Sequence, residues 1–290
     1  MKITITTTGM ASMEVGHFDL AKTLECGQCF RWQKNRDGSY TGIVQGRIIT
    51  ARQTENQLLL HPASRDEVEK IWVPYFDLER DYSTFNRRIL RRAPWMKTPV
   101  SLGAGIRILK QDPWETAITF IFSANNHIPR ITASVACLAK TWGTYLGEGA
   151  GGAYYGFPTP ERLQQLSLED WRRCGAGYRA TYLSKTTEQW ESHYREMMKA
   201  RVSRKELPEH HRRMLEKLPG VGPKVSSCIN LYGLGHHKQF PVDVWIRRRV
   251  KALWPGAPES DCAIERSAVE LFGEAAGYAQ QLLFYEARAK

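Results

Sequence analysis

The chain has 290 residues, 42% of them hydrophobic, with 41 basic against 30 acidic side chains, a formal net charge of +11 and a pI near 9.4. That length can bury one large core or two smaller ones, so neither disulfides nor a metal is needed to fold, and two domains are the better reading. The basic surplus favours a polyanionic partner. The opening MKITITTTGM lacks the apolar heart of a signal peptide and no run of about 18 apolar residues occurs, which argues against export and membrane spanning and predicts an intracellular protein.

From Ile3 to about Pro62, β-branched residues, short alternations and Gly punctuation in SYTGIVQGRIITARQ and NQLLLHP predict hairpin strands. Within this region CGQC, Cys26 to Cys29, has the look of a redox or zinc half-site. The other cysteines, 137, 174, 228 and 262, are scattered, so no second pair completes a zinc site and both thiols read as reduced and structural. Ser64 opens a capping box that reaches Glu67, with Val68, Ile71, Trp72 and Tyr75 at helical spacing behind it. A second helix is expected over Tyr82 to Arg92. Its Arg87, Arg88, Arg91 and Arg92 could track phosphates but read more simply as a solvated face. Pro94 breaks the pattern, and the domain division is placed at 1–100 and 101–290.

Beyond Ser101 the sequence reads as helical throughout. WETAITFIFSAN and IPRITASVACLAKTWGTYL flank a polar interruption, Asn125 to His127, and the Gly-rich GEGAGGAYYGFPTP reads as a loop. Thr159-Pro160 starts a further helix, Gly175 ends the next, a long one spans Tyr178 to Met198, and two helices close the sequence, the last in AAGYAQQLLFYEARAK.

The chain is organised around LPGVGPKVSSC, Leu218 to Cys228, and the PVDVWIRRR that follows. Apolar periodicity ends at Leu218, a Pro-Gly-Val-Gly turn follows, and Pro223 suits the first turn of a new helix because its missing N–H is not needed there. Gly220 and Gly222 allow a tight hairpin with close backbone approach, and the amides at the next helix start suit a phosphate. Lys224 sits in that first turn, where the helix dipole, and burial if it occurs, are expected to favour the free amine, and Asp243 is placed to cap another helix. An amine nucleophile and a carboxylate beside a phosphate-binding hairpin form a chemical kit. Taken singly, each feature has an ordinary reading: a packing turn, a solvated lysine, a plain N-cap.

These motifs, with CGQCFRW, QDPWE, SANNHIPRIT, GYRATYL and GYAQQLLF in order, resemble the 8-oxoguanine DNA glycosylase/lyase family of the helix-hairpin-helix glycosylase superfamily. The resemblance implies an α+β protein: an N-terminal antiparallel β-sheet domain with helices, then an all-helical glycosylase domain, with the lesion pocket between them. It implies base-excision repair of 8-oxoguanine in double-stranded DNA by a monomer with no cofactor, metal or membrane. Lys224 would be the nucleophile of a Schiff-base mechanism with strand cleavage, and Asp243 would stabilise charge on the sugar. Gly27 would accept from the ring N–H of the oxidised base, Gln280 would read its pairing edge, and Phe284 and Cys228 would sandwich it. Asn125, Arg130, Tyr178 and Arg179 would hold the orphaned cytosine, so cytosine opposite the lesion is the expected preference. Gly220, Gly222 and Trp245 would meet the DNA backbone. Trp245 stands where better-known eukaryotic members carry histidine, and Cys29 where they carry serine. The sequence ends six residues past Phe284, with no targeting extension expected. Two rival readings are a monofunctional glycosylase for alkylated or mismatched bases, which Lys224 disfavours, and a non-catalytic helix-hairpin-helix DNA-binding module, which Asp243 and the Gln280–Phe284 pair disfavour.

Overall fold

A computed structural model describes residues 2–149, 151–199, 202–203 and 206–288. Strands β1 (Ile3–Ile5), β2 (Ala11–Glu14), β3 (Trp32–Lys34), β4 (Tyr40–Val44), β5 (Arg47–Thr54) and β6 (Gln57–His61) form one antiparallel sheet in the order β1-β2-β6-β5-β4-β3. Alternation along β5 and β6 buries Ile49, Ala51, Leu58 and Leu60, and Trp72, Tyr75 and Phe76 cover that face. The Ser64 capping box forms with both of its bonds, and the Tyr82–Arg92 helix has the expected bounds, capped by Asp81. Of its arginines, Arg87 is tied to Ser83 and Thr84, and Arg92 donates to the Leu271 carbonyl at 2.8 Å. Apart from one two-stranded hairpin, the regular structure of the rest of the described chain is helical, around a second, larger core that includes Ile89, Ile118, Phe122, Trp171, Leu183, Ile246 and Tyr278. The whole is an α+β fold.

Two local expectations need correction. The Gly-rich stretch after Trp142 is not a loop: β7 (Tyr145–Gly149) and β8 (Gly152–Tyr155) pair antiparallel, with a register irregularity between Tyr145 and Gly147. Its glycines supply the turn and the bulge, with φ of +100° at Gly152 and +134° at Gly147, while Tyr154 is buried and Tyr145 meets Tyr155 edge to face. A short helix, Leu20–Glu25, also lies inside the region read as strands. At six residues it is too brief to show a helical period, although Asp19 accepts from the Lys22 amide as its cap.

Cys26 and Cys29 are free and buried, and burial pushes the Cys26 thiol up to about 12, so it stays protonated. Cys137 and Cys174, left unpaired by the sequence reading, form a disulfide that joins the Ile128–Trp142 helix to the end of the Leu168–Arg173 helix.

A polar spine joins the sheet to the helical body. Gln28 is fully buried, and its amide donates to Thr23 O at 2.9 Å and Arg107 O at 2.7 Å while accepting from Leu109 N at 2.9 Å. Arg107, also buried, donates to the carbonyls of Asp77, Arg80 and Gly16. Every polar atom so paired escapes the cost of burial without a partner, about 1–3 kcal/mol each. The spine thereby fixes the turn that contains Gly27.

The Leu207–Leu215 helix, the hairpin and the Pro223–Cys228 helix form the helix-hairpin-helix unit, with the second helix widening into a π turn over Ile229–Gly233. Arg212 pairs with Glu265 and Glu216 at 2.9 Å each, Ser227 donates to Glu265 and Ser226 to Glu216, and Thr186 donates to the Pro219 carbonyl at 2.6 Å. These bonds hold both ends of the unit.

Beside it, His211 Nδ1 and His236 Nε2 lie 2.8 Å apart, so one ring donates and the other accepts. Burial and the neighbouring His236 and His210 bring His211 down to about 4, and burial also lowers His236. A histidine whose folded value is depressed stabilises the fold fully above its unfolded value of about 6.5, and that contribution is lost as pH falls from there through the folded value. Glu115, pushed up to about 7 by burial, works in the opposite sense, so the readout is a difference between proteins. We expect the stability of His211→Gln to fall less steeply than wild type between pH 6.5 and 4.5, by up to about 1.4 kcal/mol per pH unit. Urea denaturation across that range checks it, and parallel curves would remove the histidine pair from the acid response.

Candidate active site

Lys224 occupies the first turn of the Pro223–Cys228 helix and is half-buried. Its Nζ donates to Ser123 Oγ at 2.9 Å and lies 4.9 Å from the centre of the Phe120 ring. The Ser123 hydroxyl donates in turn to Phe120 O at 2.7 Å, so it meets the lysine with lone pairs only. Phe120 stacks on Tyr232 at 5.4 Å and 11°. The end of the Pro113–Ser123 helix therefore aims the amine, and that helix starts at Asp112, which accepts from Glu115 N as its cap.

An open cavity of about 250 Å³ surrounds this amine, and Gly27, Lys224, Cys228, Asp243, Trp245, Gln280 and Phe284 all line it. Seven of the residues singled out from the sequence thus meet in one place. Asp243 caps the Val244–Leu253 helix through Oδ1, which accepts from Ile246 N at 2.8 Å. Cys228, one turn beyond Lys224 on the same face, is buried, and burial pushes its thiol up to about 11 although Lys224 pulls it down. It forms a neutral part of the cavity wall.

Gly27 has φ +86°, and a Cβ there would lie 2.7 Å from Ile128 Cδ1 and 3.0 Å from Phe284 Cε1. Both the backbone and the space require glycine. Gln280 is buried, not the surface amide that its residue type alone suggests, and Phe284 follows it by four residues on the Ala276–Arg288 helix. Trp245, half-exposed, stands at the cavity rim one residue into its helix.

The hairpin glycines differ. Gly220 has φ +80°, and a Cβ there would come within 2.8 Å of Tyr182 Cβ. Gly222 is extended at φ −89°, with open space where a Cβ would project, and no side chain caps the helix it starts. The first amides of that helix are left for an outside acceptor.

Asn125, Arg130, Tyr178 and Arg179 do not line the cavity. Asn125, exposed, turns the chain with φ +49°, a conformation asparagine tolerates better than most residues. Arg179 is buried, and its guanidinium donates to the carbonyls of Ala124, Asn125 and Ala176. In this conformation it clamps the Asn125 turn, and Tyr178, well exposed, lies over it at 4.4 Å. Arg130 is exposed at the start of the neighbouring Ile128–Trp142 helix.

Several residues around the cavity escaped the sequence reading. Tyr232 donates to Gln281 Oε1 at 2.6 Å and sits 3.5 Å from Gln280 Oε1, and Gln281 Nε2 donates to Cys26 O at 3.0 Å. Tyr232 follows Lys224 and Cys228 by the same four-residue step, a signal present in the sequence. Phe120 and Ser123 lay hidden inside an apolar run. Among the described residues, no group of three or more His, Cys, Asp or Glu side chains could hold a metal ion.

Comparison with known proteins gives consistent matches. Residues 11–117 match the family model of the 8-oxoguanine DNA glycosylase N-terminal domain, and residues 118–274 match that of the HhH-GPD superfamily of base excision DNA repair proteins. The chain is 32% identical over 279 residues to an N-glycosylase/DNA lyase of Arabidopsis thaliana, covering 91% of this chain and 76% of that one. It is likewise 32% identical over 310 residues to a probable N-glycosylase/DNA lyase of Methanothermobacter thermautotrophicus, covering 94% and 95%. Among solved structures, the Clostridium acetobutylicum 8-oxoguanine glycosylase/lyase, bound to double-stranded DNA with cytosine opposite 8-oxoguanine, superposes with a TM-score of 0.90. Identity there is 33%, covering 99% of this chain and 98% of that one.

Proposed function

Because the chain belongs to the 8-oxoguanine DNA glycosylase/lyase family of the helix-hairpin-helix superfamily, we propose that its cavity receives an 8-oxoguanine nucleotide turned out of duplex DNA. The observation that carries this reading is the meeting of Lys224 and Asp243 with Gly27, Cys228, Gln280 and Phe284 in one cavity.

The Lys224 amine attacks C1′ of the deoxyribose with its lone pair, and the bond to the base breaks with its electrons leaving on the base. The carboxylate of Asp243, held by its own helix cap, stabilises positive charge on the sugar as that bond opens. Ring opening gives a Schiff base on Nζ, which acidifies the C2′ proton; loss of that proton expels the 3′ phosphate and cuts the strand. The chemistry is bifunctional, glycosylase and lyase in one site, and it needs no cofactor. A monofunctional glycosylase would have no use for an amine beside its carboxylate, and a DNA-binding module would have no use for the cavity.

The Gly27 carbonyl accepts from the N7–H that only the oxidised base carries, Gln280 reads the pairing edge, and Phe284 and Cys228 take the two faces. The hairpin at Gly220 and Gly222 and the rim at Trp245 follow the phosphates. An N-terminal domain over residues 1–100 contributes the Gly27 turn, and a helical domain over 101–290 supplies the rest. One chain provides every group, which supports action as a monomer, inside the cell where double-stranded DNA is the substrate.

On the opposite strand, Asn125 and Arg130 are the exposed candidates for the orphaned cytosine, with Tyr178 beside the gap and Arg179 holding the Asn125 turn in place. An arginine aimed at a base edge is worth roughly 1–3 kcal/mol, so cytosine is preferred by about ten-fold to a hundred-fold. Single-turnover excision and borohydride trapping on duplexes with each of the four bases opposite 8-oxoguanine test lesion, amine chemistry and partner together. Equal rates for all four bases would leave Arg130 as a backbone contact, and no excision from any of them would overturn the assignment.

A further inference from the structure

The Ala276–Arg288 helix carries one more residue into the cavity. Arg288 lies one turn beyond Phe284, lines the same cavity, and has its Cζ 5.6 Å from the Phe284 ring centre. A Cβ built on Gly27 would lie 3.1 Å from Arg288 Nη1, so the guanidinium sits directly against the Gly27 turn. Its one hydrogen bond among the described residues is long, 3.5 Å to Glu25 O, and within that set it has no ion pair. An exposed charged fork, with most of its five donors unpaired among the described residues, thus stands at a cavity wall, beside a backbone acceptor and against an aromatic face.

Building on the function proposed above, we propose that Arg288 is a base-reading residue that donates to a carbonyl oxygen of the extruded oxidised purine. The chemistry of the base makes the match. On 8-oxoguanine the N7–H is flanked by two carbonyl oxygens, O6 and O8, so its outer edge runs acceptor, donor, acceptor. The Gly27 carbonyl answers the central donor and can answer neither oxygen. A cationic donor held against the Gly27 turn answers one of them, and Phe284 keeps the guanidinium and the base on a common aromatic platform. Arg288 is thereby assigned to engagement of the base and not to the sugar chemistry, which belongs to Lys224 and Asp243.

This division sets the test. A duplex with a preformed abasic site has sugar and phosphates but no base, so a base-reading residue matters only for the intact lesion. Wild type, Arg288→Met and Arg288→Lys are compared in single-turnover excision of 8-oxoguanine opposite cytosine, at limiting and saturating enzyme, and in strand cleavage of the abasic duplex. Arg288→Met is expected to lose about ten-fold or more in excision at limiting enzyme, the scale of one charge-assisted hydrogen bond, with abasic cleavage within about two-fold of wild type. Arg288→Lys, which keeps the charge, recovers part of that loss. Intact abasic cleavage also shows that the variant is folded. Equal losses on both substrates would make Arg288 a phosphate contact and overturn the inference, as would unchanged excision. A wild type that leaves 8-oxoguanine in place overturns the proposed function along with it, whereas an active wild type with an unaffected Arg288→Met overturns this inference alone.

Discussion

Lys224→Gln is expected to remove the covalent adduct that borohydride should trap between wild type and an 8-oxoguanine duplex, and to lower excision by roughly a thousand-fold or more, the scale on which enzymes lose rate with their nucleophile. The side chain is nearly the same length, so Gln can still reach Ser123 Oγ from the first turn of its helix and the wall formed by Phe120 and Cys228 stays filled. What disappears is the lone pair to which the proposed function assigns the bond to C1′. Gel shift of the trapped complex and a single-turnover time course check this directly. A trapped adduct at wild-type yield would mean that another amine, such as the N-terminus, makes the attack.

Asp243→Asn separates the cap that Asp243 makes from the catalytic task proposed for it. Its Oδ1 caps the Val244–Leu253 helix, and asparagine caps about as well as aspartate, so the melting temperature should stay near wild type. The negative charge is lost, and with it the stabilisation of the sugar that the proposed function assigns to this carboxylate. Excision should fall by about a hundred-fold or more, the range seen when one preorganised electrostatic partner is removed from a site. Asp243→Ala, by contrast, should cost about 0.5–2 kcal/mol of stability as well. A wild-type single-turnover rate in the folded Asp243→Asn protein would leave Asp243 with its structural task alone.

How far the sequence could be read depended on whether the determining contact was local. The Ser64 box, the Asp243 cap and the Tyr82–Arg92 helix follow from residues within one or two turns, and each formed as expected. The four-residue step from Gln280 to Phe284 correctly put both on one face, but nothing local says whether that face meets solvent, core or cavity; only the family resemblance did. Glycine density hid the β7–β8 hairpin, because residues chosen for a turn and a bulge look like those of an irregular loop. The Cys137–Cys174 bridge joins segments brought together by packing of separate helices, and no spacing announces it. Arg179 shows the same limit at the level of a side chain. Its place in GYRATYL marks it as important, yet two of the three carbonyls that hold it, those of Ala124 and Asn125, lie more than 50 positions earlier in the chain.

The bond from Gln281 to Cys26 spans 255 positions. A ribosome delivers the chain from its N-terminus, so the Gly27 turn, the amine of Lys224 and the carboxylate of Asp243 all exist before the helix that carries Gln280, Gln281 and Phe284 has emerged. Until then the amine has no seat beside it for a base, and the Cys26 carbonyl lacks the amide that ties the turn down. The step that completes the cleft waits for the Ala276–Arg288 helix. On the function proposed above, a nascent chain carries the Lys224 amine before it carries the residues assigned to hold the base.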